Sequence, residues 1–345
     1  MMSGLSRIIV ALGAVIGFWG GVADAADKVS VGIANTLNDV TLYIAQERGF
    51  FRDEGLEVEL IVLDSGAKMI APLGTGQLDV GAGALSAGFY NAVDRNVAIK
   101  IVADRGRTAP WSEYQMVVIR KDLVDSGNFK SLADLKGKKM AAAAPGVTSL
   151  SVLNEAMKSA GLSYKDVETV FMPFPQQVVA LRNRAIDGSI MTEPFATQVA
   201  KAGFGVRFVS TETFYPGDQV GVIFYSEKLI KERSEVAKRF MKAYLRAVRA
   251  FVDVTSRGKI EGPGADEVLR IVTKNFNIDP EVARAISPQA VDPNGSVNMD
   301  SIRKDWTFFR EHGLISGTAP LETIVDNSFA EAAARELGPY KPKTQ

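Results

Sequence analysis

The sequence predicts an α/β protein built as two similar lobes, each a doubly wound, mainly parallel sheet with helices on both faces. Three observations carry the prediction. Strand-like and helix-like segments alternate, the alternation returns after about a hundred residues, and a β-branched run follows each copy.

The first copy opens with the strand-like run Val29-Ser30-Val31-Gly32-Ile33-Ala34, the polar turn Asn35-Thr36-Leu37-Asn38-Asp39 and a helical stretch from Val40 to Arg48. After the break at Gly55-Leu56, a second strand runs from Val58 to Leu63, turns at Asp64-Ser65-Gly66, and leads into a helix carrying Met69, Ile70 and Leu73. Asp79 to Ala84 reads as a short buried strand. Strands joined by helices in this way lie parallel, because the crossover must return over a face of the sheet.

In the second copy Lys139 to Ala144 repeats the first strand, Pro145 to Ser149 the loop, Leu150 to Ala160 the helix, Val167 to Phe171 the second strand and Gln176 to Arg184 the second helix. Leu73, Leu78 and Asp79 are matched at the same internal spacing by Leu181, Ile186 and Asp187.

The β-branched runs Tyr114 to Arg120 and Gly221 to Tyr225 are expected to cross between the lobes as a two-stranded hinge. If the chain returns to lobe 1 at the second crossing, lobe 2 is an insertion of roughly a hundred residues, an ordinary domain size. The expected division is then lobe 1 at 26–116 and 222–345 with the C-terminal helices, and lobe 2 at 117–221. Two tandem domains on one linker would leave the mostly helical remainder without a sheet to cover. That remainder begins with a helix whose stripe Val236, Phe240, Tyr244, Val248 and Phe251 marks a core-packed face.

Residues 1–25 read as a secretory signal peptide: Arg7, the apolar run Ile8 to Trp19, then small residues at Ala23-Asp24-Ala25. The run is shorter than the ~20 apolar residues of a spanning helix. The mature chain is therefore expected to be periplasmic.

Composition removes several functional classes. In 345 residues, forty Lys plus Arg balance forty Asp plus Glu without a run of one sign, so no nucleic-acid surface is expected. Cysteine is absent and His312 is the single histidine, which removes thiolate chemistry, makes any Ser-His-Asp triad depend on that one residue and leaves a zinc site only unusual carboxylate-rich ligation. His312, followed by Gly313, reads as the end of an amphipathic helix. No metal, no cofactor and no catalytic residue is expected.

Gly49-Phe50-Phe51, Gly55-Leu56-Glu57-Val58, the loop after Asp79-Val80-Gly81, Asp187-Gly188 and Glu193-Pro194 together resemble the NMT1/THI5-like substrate-binding proteins, relatives of nitrate, taurine, alkanesulfonate and thiamine-precursor binders of ATP-driven importers. The resemblance implies a type II periplasmic binding-protein fold that holds its ligand in the cleft between lobes. It also implies an ABC permease and ATPase as partners; a monomer is expected. Yeast members of the family are enzymes that use a histidine and a cysteine-rich motif. Here cysteine is absent and no histidine occurs before His312.

In open α/β sheets ligands sit beyond the carboxyl ends of the strands. That rule nominates Asn35, Thr36, Ser65, Leu85 and Ser86 in lobe 1, and Gly146, Val147, Thr148, Ser149, Phe174 and Glu193 in lobe 2. Thr148 and Ser149 either cap their helix or lend its start to a carboxylate, sulfonate or nitrate oxygen. Arg105, after the strand Ile99 to Val102, would pair with an acid group. Trp111 and Tyr215, near the hinge, would face a flat or apolar body. The expected ligand is a small organic molecule, anionic or heteroaromatic, captured by hinge closure. The alternatives are an enzyme of thiamine-pyrimidine metabolism on the same fold and a ligand-presenting sensor subunit.

Overall fold

The computed structural model describes residues 25–317 and 320–342. The expected signal peptide, up to Asp24, lies outside them. Ten strands form two five-stranded sheets. The first contains β1 (Asp27–Ile33), β2 (Leu56–Val62), β3 (Val80–Gly83), β4 (Lys100–Gly106) and β10 (Gly221–Tyr225). The second contains β5 (Gln115–Arg120), β6 (Lys139–Ala142), β7 (Glu168–Phe171), β8 (Gly188–Thr192) and β9 (Gly205–Ser210). Their orders, β2-β1-β3-β10-β4 and β7-β6-β8-β5-β9, superimpose element by element.

The repeat is physical as well as topological. Asp79 accepts the Ser30 N–H at 3.0 Å and its own N–H donates to the Ser30 carbonyl at 3.1 Å. Asp187 does the same with Lys139, at 2.9 and 2.8 Å. Each aspartate thus locks the entry of the third strand onto the first. An arginine neutralises each: Arg233 lies 3.1 Å from Asp79 and Arg120 3.4 Å from Asp187.

The β-branched runs do not form a separate pair of hinge strands. β5 lies between β8 and β9 and β10 between β3 and β4, each antiparallel to both neighbours. The passages between sheets are the irregular segments 107–114 and 211–220, so the expected boundaries at 116/117 and 221/222 fall inside β5 and β10. Each sheet therefore receives its antiparallel strand directly from a passage out of the other. Thr108 and Asp218 tie the two passages together, with Thr108 N–H on the Asp218 carbonyl and Asp218 N–H on Thr108 Oγ1, both 2.9 Å.

The helix Ser234–Val252 covers the first sheet with its buried stripe Val236, Phe240, Tyr244, Val248 and Phe251. Phe240 stacks on Phe51 at 5.1 Å, and the Tyr244 hydroxyl donates to the Asp104 carbonyl at 2.8 Å. The Tyr244 hydroxyl is thereby satisfied rather than stranded. His312 ends the helix Met299–Glu311, as expected, with Nδ1 2.9 Å from the Phe308 carbonyl.

The lobes meet across the cleft. Ala87 N–H donates to the Gly146 carbonyl at 2.7 Å and Thr148 N–H to the Leu85 carbonyl at 3.2 Å, an antiparallel bridge centred on Ser86 and Val147. Farther along, Leu37 N–H donates to the Glu193 carbonyl at 3.0 Å. The Glu193 carboxylate is fully buried, accepts from Thr197 Oγ1 at 2.8 Å, Thr197 N–H at 3.1 Å and Ser287 N–H at 3.4 Å, and lies 3.3 Å from Arg207. Glu193 is thus a joint between lobe 2 and the C-terminal part of the chain.

Burial pushes the Glu193 carboxyl up from 4.5 to about 7, against the pull of Arg207. A carboxyl that titrates higher in the folded than in the unfolded chain favours the native state when protonated. Its contribution is complete below about 4.5 and disappears as pH rises to about 7. Denaturant unfolding of the wild type and Glu193→Gln across that interval should show the wild type losing stability relative to the variant as pH rises. A constant difference between the two would overturn the assignment.

Candidate functional site

Between the lobes lies a cavity lined by residues of both. Three helix starts converge on it. Thr36 precedes the turn Leu37–Asp39 that enters the helix Val40–Glu47, Ser65 precedes Gly66–Met69, and Val147 precedes the helix Thr148–Ser159. No side chain caps the last of these, and its positive end lies at the cavity, with the Thr148 N–H on the Leu85 carbonyl and the Leu150 N–H on the Val147 carbonyl. A side chain at Gly66 would collide with the Ala84 carbonyl oxygen, which is why this wall stays thin.

Arg105, at the end of β4, forms the floor. Its Nε and Nη2 donate to Asp39 Oδ1 at 3.0 and 2.5 Å, and Nη2 reaches Thr36 Oγ1 at 3.2 Å. Both partners are almost completely withdrawn from water, with side chains 3% and 0% exposed. Burial raises the Asp39 carboxyl, while Arg105 and the Thr36 N–H draw it down again. Beside them burial pushes Tyr114 up to about 12, which keeps its hydroxyl a hydrogen-bond donor.

Of the residues nominated from the sequence, Thr36, Ser65, Arg105, Val147, Thr148, Ser149 and Phe174 line the cavity. Phe174 is held by stacking on Phe195, 5.3 Å away. The other nominated residues lie outside the lining and serve the frame. Asn35 accepts from the Tyr43 hydroxyl at 3.1 Å, and Ser86 caps its helix through Phe89 N–H at 3.3 Å. Leu85 and Gly146 supply carbonyls to the cross-cleft bridge, and Glu193 is the joint described above. Tyr215 is buried with its hydroxyl 3.0 Å from Asp305 Oδ1. Trp111 stands 37% exposed on the surface, outside the cavity lining, although Tyr114 three residues on enters it.

Asn38 and Thr192, in strand-end loops that the sequence nominates, and Tyr114, among the aromatics near the hinge, also line the cavity, whereas sequence reasoning missed Asp64, Gln115 and Val220. Gln115 and Val220 share one cause: β5 and β10 run antiparallel, so they present their amino ends where the parallel strands present carboxyl ends. The strand-end rule, combined with recognition of an antiparallel strand, would have found them.

The buried polar atoms reveal what the walls demand. Asn38 Oδ1, Ser65 Oγ and Ser149 Oγ line the cavity and have no hydrogen-bond partner in the protein. Buried polar atoms are rarely left so, and several in one cavity call for a hydrogen-bonding partner that the protein does not supply. Among the described residues no group of three or more His, Cys, Asp or Glu side chains could hold a metal.

Comparison with known proteins agrees with this architecture. A putative ABC transporter periplasmic binding protein of Brachyspira hyodysenteriae is 25% identical over 318 residues, covering 88% of this chain and 87% of the relative. The nitrate-binding protein NrtA of Synechocystis PCC 6803 shares the fold with a TM-score of 0.75 at 17% identity, over 90% of this chain and 89% of that one. The alkanesulfonate-binding protein SsuA of Xanthomonas axonopodis pv. citri, bound to MOPS, does so with a TM-score of 0.69 at 15% identity, over 86% and 97%. These establish the two-lobed, type II periplasmic binding-protein fold. The family model described as NMT1/THI5 like matches residues 37–254, well over half of the chain, and the protein belongs to that family.

Proposed function

We propose that this protein is the extracytoplasmic solute-binding subunit of an ABC importer, taking one small organic molecule into the cavity between its lobes. The single observation that carries the reading is the set of unpartnered buried atoms, Asn38 Oδ1, Ser65 Oγ and Ser149 Oγ, contributed from both sides of a cavity that no acid–base pair serves. Thiol and imidazole chemistry have no group to use there. The chain lacks cysteine, and its one histidine sits at a helix end outside the cavity lining.

Capture follows from the arrangement. Thr148 and Ser149 at their helix start offer two hydroxyls and the Ser149 N–H to an acidic oxygen, while Phe174 and Tyr114 face a flat or apolar body. Thr36, Asn38 and Ser65 approach from lobe 1. Contacts from both sides exist together only when the lobes are closed, so a solute favours that form by its differential affinity and no more. The passages 107–114 and 211–220 would absorb the rotation, and the permease with its ATPase would receive the loaded form. The likeness to ABC-type binding proteins supports this partnership.

Two measurements test the reading. The solute carried by protein purified from its own host, identified by native mass spectrometry, should reduce the radius of gyration of solute-free protein in solution scattering. Ser149→Ala should weaken its binding about three- to tenfold, the effect of one hydrogen bond. An unchanged scattering profile at saturation would sink the closure mechanism. Export is tested by sequencing the mature amino terminus, expected at Ala26; a mature chain that keeps Ile8 to Trp19 would show an anchored protein instead.

A further inference from the structure

Away from the cavity, two helices bring the lobes into contact. The helix Met299–Glu311 packs on the lobe 1 helix Ala87–Asp94, with Phe309 and Tyr90 5.9 Å apart. It also meets lobe 2, where Lys304 lies 3.0 Å from Glu155 of the helix Thr148–Ser159 and Phe308 lies 5.4 Å from Tyr164. A cluster that the cavity does not use is buried there. Asp305, on the first of these helices, and Asp218, in the passage 211–220, are both 0% exposed, and neither has a salt-bridge partner among the described residues. Asp305 Oδ1 accepts from the Tyr215 hydroxyl at 3.0 Å and Asp218 Oδ1 from Ser301 Oγ at 3.4 Å, and those two hydroxyls stand 3.3 Å apart. The second oxygen of each acid has no partner, and neither has the Tyr90 hydroxyl of lobe 1 or the Ser151 hydroxyl of lobe 2. Ser151 nonetheless approaches closely enough to draw the Asp305 carboxyl down.

Two like charges sealed from water without a cation repel, and a proton on one of them removes the repulsion and supplies a donor. Burial outweighs every compensating contact: it pushes Asp305 from 3.8 up to about 7 and raises Asp218 as well, although Lys304 stands 4.1 Å over the Tyr215 ring. The other charges facing the cluster are engaged. Glu155 is shared by Lys304 and Lys158, and Glu212 Oε2 accepts the Gly217 N–H at 2.9 Å. His312 lies about two turns farther along its helix, against Tyr164 at 5.2 Å.

We propose that the closed arrangement of the lobes holds a proton at Asp305, and that release of this proton to solvent lets the helix Met299–Glu311 part from the helix Thr148–Ser159. The inference rests on lobes that move, as solute capture requires, but on no particular solute. Lobe 2 meets Asp305 with Ser151 and Glu155, neither of which can answer an ionised carboxylate with positive charge. Once water reaches Asp305 its carboxyl returns toward 3.8, so the closed form binds the proton more tightly than the parted one. Closure is therefore favoured below about 7 and weakens as pH rises through that value.

The test is solution scattering of the solute-free mature protein from about pH 5 to about pH 9. The radius of gyration should step upward as pH passes about 7. Asp305→Asn, which keeps an acceptor for Tyr215 and cannot ionise, should stay compact throughout. Ser151→Ala, which removes the hydroxyl that draws Asp305 down, should move the step to higher pH, and it decides the matter if the Asp305 variant folds poorly. His312→Gln and Glu193→Gln, which alter the other titrating groups between the lobes, should keep the step. A constant radius in the wild type, a step that survives Asp305→Asn, one that Ser151→Ala leaves in place or lowers, or one lost in His312→Gln or Glu193→Gln each overturns the proposal. The solute-binding reading stands or falls apart from it, since no solute enters this experiment.

Discussion

The buried pair of Arg105 and Asp39 is the contact on which the cleft depends. It joins the end of β4 to the turn Leu37–Asp39 and, through Thr36, sets the start of the first helix in lobe 1. Removing one partner would strand the other charge in a medium that cannot solvate it, typically at a cost of about 3–5 kcal/mol. Because the pair is satisfied internally, it acts as a fixed floor. The neutral hydroxyls, the amide of Asn38 and the helix start opposite line the cavity apart from that pair.

Much of this architecture was legible in the sequence because the repeat rests on residues with a single structural task. Asp79 and Asp187 recur at matching positions since each strand entry needs a carboxylate to accept the N–H of its neighbour, and that need leaves a visible spacing. The stripe from Val236 to Phe251 was equally plain, because one helix face must be apolar to cover a sheet.

What remained hidden depended on contacts between distant segments. Glu193 looked like a ligand acceptor from its place after a strand, yet its partners include Ser287, and no local pattern announces that meeting. Trp111 looked like a cleft aromatic because it precedes β5, but it stands on the surface outside the cavity lining. The direction of β5 and β10 was the deciding unknown: a β-branched run reads the same whichever way it enters a sheet. Once they are antiparallel, Gln115 and Val220 enter the cavity wall as a consequence.

The bridge between Ala87 and Gly146 and between Leu85 and Thr148 is made wholly of main-chain atoms. Peptide groups are common to every sequence, so this fastening between lobes survives replacement of nearly any side chain around it, apart from Gly146, whose φ of +66° favours glycine. Evolution can therefore rewrite the hydroxyls, amides and charges facing the solute while the fastening persists. A scaffold of this kind separates what holds the lobes together from what lines the space between them, so the lining can change while the frame stays the same.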